Sequence, residues 1–216
     1  VGTTYGGQLT FTTSNIIVNM PSATIGTQIW SSKNLSVAKY RNGDSIPQVT
    51  DLTAWQSMTT GAWCWYNNDS ATYAATYGRL YNWYAVNDPR GLAPNGWHVP
   101  TNGEWNKLVK YIDAGADTTC SGCTQSSTAG GAMKSTSGWN SPNTGATNST
   151  GFSGLPGSYR INDGTFEILF YNGYWWSASA FDTTNAWYRS LYFLNSGVHV
   201  GLIDNKSGLS VRVVKD

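Results

Sequence analysis

The sequence predicts an α+β domain with two helices early and a run of antiparallel strands late. Three observations carry that prediction. Thr101-Asn-Gly-Glu104 has the residue types of a capping box, and Trp105, Leu108, Val109 and Ile112 follow it at helical spacing. From Phe152 onward, short β-favouring segments alternate with turn residues. Aromatic residues make up 14% of the 216 residues and charged ones only 12%, against about 25% in an ordinary domain, so the chain has the means to bury a core and is not disordered. The length suits one domain with an appendage.

Residues 1–23 are rich in Thr, Ser and Asn around Leu9 to Phe11 and Ile16 to Val18, and read as a β-rich linker or attachment segment. The main domain is expected over 24–216, opening with a strand from Ile25 to Trp30. Tyr77, Leu80, Tyr81 and Tyr84 recur at helical spacing, which predicts a first helix over Thr76–Val86. Pro89, Gly91, Pro94 and Gly96 break it. The second helix follows the capping box and stops near Asp113 to Gly115. Residues 113–151 are almost all Gly, Ser, Thr, Ala and Asn and are expected to be irregular. Strands are then expected around Gly157–Arg160, Phe166–Phe170, Tyr174–Ala178, Ala186–Leu194, Val198–Ile203 and Leu209–Val214.

Composition also excludes functions. A net charge of +1 without a run of Lys or Arg argues against nucleic acid as a partner. No apolar run approaches the roughly 18 residues that span a bilayer, so membrane insertion is not expected, and no basic-then-apolar signal opens the chain. It begins at Val1 rather than Met, which leaves room for an upstream leader. Cys120-Ser-Gly-Cys123 supplies half of a zinc site, with His98 and His199 wrongly spaced to complete it, so loop thiols or a small local disulfide are expected and no metal or cofactor. The only two glutamates are Glu104, assigned to the cap, and Glu167, so paired-carboxylate catalysis has little to work with. An enzyme is not expected. His98 is read as a buried, hydrogen-bonded residue, and Trp83, Trp97, Trp175, Trp176 and Trp187 mostly as core.

The motifs TIGTQIW at 24–30, YGRLYNW at 77–83, GWHVPTNGEW at 96–105, FSGLPGSYR at 152–160, GYWWSAS at 173–179, AWYRSL at 186–191 and GLSVRVVKD at 208–216 together resemble the Fibrobacter succinogenes major paralogous domain. That resemblance implies a C-type lectin-like fold, in the branch of formylglycine-generating enzymes and of the variable proteins of diversity-generating retroelements. The redox cysteines of the former have no counterpart near the C-terminal strands. The Glu-Pro-Asn, Gln-Pro-Asp and Trp-Asn-Asp signatures of calcium-dependent sugar binding are absent, with Asn67-Asn68-Asp69 the nearest approach.

Alternation in 186–192 places Trp187, Arg189 and Leu191 on one face, where they coincide with the fixed letters of the family motif, and Tyr188, Ser190 and Tyr192 on the other. Every residue from Tyr192 to Asn205, and from Phe181 to Asn185, is reachable by changing the first two bases of an Asn AAC codon. Retroelement mutagenesis of adenines produces that vocabulary. The expected contact set is therefore Phe181, Asp182, Thr184, Tyr188, Ser190, Tyr192, Phe193, Leu194, Asn195, Val198, His199, Leu202 and Asp204. The expected function is non-enzymatic binding of a protein or glycan on a cell surface, from a phage tail tip or a bacterial surface, with oligomerisation through the N-terminal segment. The alternative is an undiversified secreted or surface domain with a structural or carbohydrate-binding role.

Overall fold

The computed structural model describes residues 20–216. The attachment role expected of residues 1–23 therefore lies almost wholly outside the described residues. Strand β1 (Ser22–Ile25) and β2 (Gln28–Ser31) form a hairpin, so the single strand expected over Ile25–Trp30 is interrupted. The turn falls at Gly26, whose φ of +63° and contact with the Tyr111 ring leave no room for a side chain.

Five helices follow in order: α1 (Leu52–Gln56), α2 (Ser70–Tyr77), α3 (Trp83–Val86), α4 (Asn102–Ile112) and α5 (Ala129–Met133). Between α1 and α2 lies β3 (Trp63–Cys64), which pairs with β4 (Leu80–Tyr81). The helix expected over Thr76–Val86 is thus three elements. Gly78 takes φ +71° and ends α2, and the Asn82 side chain caps α3 by accepting from the Ala85 N–H. Tyr81 consequently points into the core as part of a strand. The α4 expectation holds in detail: Thr101 and Glu104 form the reciprocal cap, and Trp105, Leu108 and Val109 are buried.

Strand β5 (Trp97–His98) leads into α4, and β10 (Val214–Lys215) closes the chain. Val214 pairs with Trp30 on one side and His98 on the other, giving a sheet ordered β1-β2-β10-β5. The larger sheet is ordered β6 (Cys123–Ser126), β9 (Val198–Asp204), β8 (Asn185–Tyr192), β7 (Asn172–Ala180), every pair antiparallel. Residues 113–151 are thus less irregular than expected, since they supply both β6 and α5. The strands expected at 157–160, 166–170 and 209–214 shrink to isolated bridges, such as Ser158 with Gly173 and Ser210 with Trp175. Only Val214 enters a named strand.

One face of the large sheet, with Trp175, Leu191 and Val198, packs on Trp30, Trp105, Leu108 and Phe152. The other face is covered at one end only, where Trp176 and Ala186 meet Trp63, Tyr81, Trp83, Trp97 and the Leu209–Val213 segment. Trp83, Trp97, Trp175 and Trp176 are core as expected, while Trp187 is half-buried. His98 is half-buried rather than buried, held between Asp216 and Glu104 at 2.7 Å each.

Four cations are sealed inside: Lys134, Arg160, Arg189 and Arg212. None pairs with a carboxylate among the described residues. Arg212 donates to the Asn34 amide oxygen and to the Ser31, Phe152 and Ser153 carbonyls, and Arg160 to the Gly164, Val49, Thr50 and Asp51 carbonyls. Burial lowers the Arg212 pKa to about 9. Neutral oxygens satisfy the donors without adding a second charge to desolvate.

Candidate functional site

The pleat of β8 sorts its side chains as alternation requires. Arg189 and Leu191 are buried, whereas Tyr188, Ser190 and Tyr192 are half-buried on the opposite face. Strand register then assembles that face: Thr124 of β6 lies opposite His199 of β9, His199 opposite Ser190 of β8, and Ser190 opposite Tyr174 of β7. Beside this row Tyr192 faces Asn172. The covering layer stops short of it. The result is a groove of about 310 Å³ lined by Thr124, Asn172, Ser190, Tyr192, Asn195, Gly197 and His199.

The chemistry of the lining is polar and uncharged. His199 has its pKa lowered, first by burial and then by the charge of Arg189 behind the sheet, so it is a neutral imidazole at pH 7. The side-chain groups of Thr124, Asn172, Ser190, Tyr192 and His199 make no hydrogen bond to the protein among the described residues, and Asn195 uses only its Oδ1, accepting from the Gly197 N–H. Tyr188 borders the groove, its ring packed over Gly201, 5.6 Å from Tyr174 and 6.1 Å from His199.

The turn joining β8 to β9 is fixed through backbone atoms. Lys134 donates its Nζ to the carbonyls of Thr144, Tyr192 and Asn195 at 2.9, 3.1 and 2.8 Å. The Gly131 N–H donates to the Ser196 carbonyl and the Phe193 N–H to the Tyr171 carbonyl. Gly130 permits this contact, since a Cβ there would lie 2.1 Å from the Gly197 oxygen. Burial lowers the Lys134 pKa to about 8. Behind the sheet Arg189 donates to Gln125, Asn102 and Asn106, tying β8 to β6 and α4.

Several expected contact residues are placed elsewhere. Val198 is fully buried against the α4 side, and Phe193 is 8% exposed, its ring edge-on to Tyr171 and Tyr192. Both are corrections: the pleat of β9 turns Val198 inward, and Phe193, just past β8, is held by its N–H on the Tyr171 carbonyl. Leu202 lies opposite Trp187, so it points to the face away from the groove, and Phe181 packs edge-on against that same Trp187. Asp182 closes the β7–β8 turn, accepting from the Thr184 and Asn185 N–H groups and from the Thr184 hydroxyl; these bonds hold its pKa near 2. Asp204 accepts from Lys206 N–H and Asn162 in the next turn. Leu194 is the exposed tip, and Thr184 is exposed on the far hairpin.

The groove thus unites Ser190, Tyr192, Asn195 and His199, with Tyr188 at its border, and adds Thr124 and Asn172, which no motif marked. Cys120 and Cys123 are joined in a disulfide, the local bridge that was one of the two readings, and Cys64 is free and buried, which pushes its thiol up to about 12. Asp117 sits within ligand reach of Cys120 and Cys123, but those sulfurs bind each other and its carboxylate accepts from Thr119. No described helix is long and apolar enough to cross a membrane.

No curated protein and no solved structure matches the chain. The family model of the Fibrobacter succinogenes major domain matches residues 23–215, the span that contains the large sheet, the groove and its anchors, and the chain therefore belongs to that family.

Proposed function

We propose that the protein is a non-enzymatic ligand-binding protein whose recognition surface is the open face of the β6-β9-β8-β7 sheet, on a C-type lectin-like scaffold. The observation that carries this reading is the way the scaffold grips the β8–β9 turn. Lys134, Gly131 and Tyr171 hold residues 192–196 by backbone atoms, so that Leu194 is exposed and neither the Tyr192 hydroxyl nor the Asn195 amide nitrogen makes a hydrogen bond to the frame. Side chains so held are replaceable without refolding the frame, which suits a diversified surface. The variable set is accordingly Tyr188, Ser190, Tyr192, Leu194, Asn195 and His199, narrower than the whole 181–205 stretch. Rigid strands present these groups with little ordering to do on binding. The setting is extracellular, on a phage tail tip or a bacterial surface, where several copies convert modest contacts into avidity.

Two measurements test the reading. Fluorescently labelled protein is expected to bind a subset of bacterial cells, and Tyr192→Ala with Ser190→Arg to abolish that binding at unchanged melting temperature. Retained binding would show that the face is not the contact surface. Diversification is tested by sequencing the flanking genome for a near-identical template repeat and a reverse transcriptase, with sister copies differing at 188, 190, 192, 194, 195 and 199. Sister copies that differ instead at Val198 and Phe193 would contradict it.

A further inference from the structure

Resting on the ligand-binding reading above, we propose that the groove of this chain takes a neutral carbohydrate, and takes it without a cation. The argument is the donor and acceptor set. Thr124, Ser190 and Tyr192 offer hydroxyls, Asn172 and Asn195 offer amides, and His199, held neutral, offers one donor and one acceptor nitrogen. A sugar hydroxyl is likewise donor and acceptor at once, so each lining group finds a partner whichever way it turns. In the core the protein uses its amides on itself: Asn82, for example, serves Ala62, Ala85 and Thr60. A cluster of polar side chains left unpartnered on one face is matched to something outside.

Other ligand classes fit worse. An anionic ligand needs a cation in the lining, but Lys134 spends its donors on three carbonyls and Arg189 is sealed behind the sheet. A cationic ligand needs a carboxylate, and the lining has none. An apolar ligand would strip water from these polar groups and give nothing back. The same lack of carboxylates removes the charged oxygen ligands that hold calcium in a site. The half-buried rings of Tyr188 and Tyr174, 5.6 Å apart, add apolar surface at the border of this polar row. A volume of about 310 Å³ lies at the low end of small-molecule sites, about 300–1,000 Å³, which suits a short saccharide rather than a folded epitope.

The experiment places the labelled chain on an array of neutral gluco-, manno- and xylo-oligosaccharides beside sialylated and uronate-bearing ones, with and without EDTA. Binding to neutral glycans is expected, unchanged by EDTA, and weakened at least about tenfold by Asn172→Ala with Ser190→Ala at unchanged melting temperature. Signal confined to acidic glycans, loss in EDTA, or neutral binding that survives the double variant would each overturn the proposal. If no glycan binds but the double variant abolishes adhesion to cells, the carbohydrate assignment fails and the groove binds protein. If adhesion also survives the double variant, the ligand-binding reading of this face fails with it.

Discussion

Lys134 Nζ lies 2.8 Å from the carbonyl oxygen of Asn195, and the same ammonium holds the carbonyl of Tyr192. One buried charge thereby sets the path of the β8–β9 turn while reading none of its side chains. Lys134→Met keeps the apolar stem and strands three carbonyls, so a loss of about 3 kcal/mol is expected by urea unfolding. Amide exchange at Phe193 and Gly197, whose N–H groups donate to the Tyr171 carbonyl and the Asn195 side chain, should accelerate more than exchange in α4. Equal acceleration everywhere would show that the lysine serves global stability alone.

Arg189 acts on the other side of the same strand. Its guanidinium fork meets amide oxygens of Gln125, Asn102 and Asn106, and burial lowers its pKa to about 9. Arg189→Met leaves the buried Gln125 oxygen and the half-buried Asn102 oxygen without this donor, while Asn106 keeps its bond from Gln125, and is expected to cost about 2–3 kcal/mol. Arg189→Lys should recover little of it, because an ammonium cannot reproduce the planar fork. Thermal unfolding of both variants checks this.

Two leucines three residues apart should diverge in their effect on stability. Leu191 is sealed in the core and Leu194 is 49% exposed. Leu191→Ala is expected to cost about 2–5 kcal/mol, and Leu194→Ser to stay within about 0.5 kcal/mol of the parent. A large loss at Leu194 would remove it from the replaceable set.

His98 gives the protein a pH signature. Burial opposes its charge, but hydrogen bonds to Asp216 and Glu104 outweigh it and raise its pKa. The folded state therefore binds the proton more tightly than the unfolded one, whose pKa is about 6.5. The stabilisation is full below that value and is lost as pH rises through the folded pKa. The urea midpoint should fall over that window, and His98→Gln should flatten the fall.

What the sequence made legible was local chemistry. The α4 cap at Thr101 and Glu104 and the alternation of Ser190 against Leu191 depend on neighbours within a few residues, and both are found as expected. The helix over 76–86 misled because Gly78 and Asn82 interrupt an aromatic spacing that continues across them. The codon vocabulary treats 192–205 as one stretch, but the pleat turns Val198 inward and His199 outward, which no vocabulary registers. Thr124 and Asn172 join the site only through register with distant strands. Lys134 gave no signal at all, since its partners are backbone carbonyls.

The outer strands of the large sheet carry a last consequence. At one edge β6 is four residues long, its register shifts between Thr124 and Ser126, and the Cys120–Cys123 bridge stands at its start. At the other edge β7 is shielded by bridges to Ser158 and Ser210. Short, kinked or covered borders deny a second chain the template it needs to stack on and aggregate. That protection resides in residues outside the positions proposed to vary, so the guard against edge-to-edge stacking would pass unchanged to any version of the surface the proposed diversification would produce.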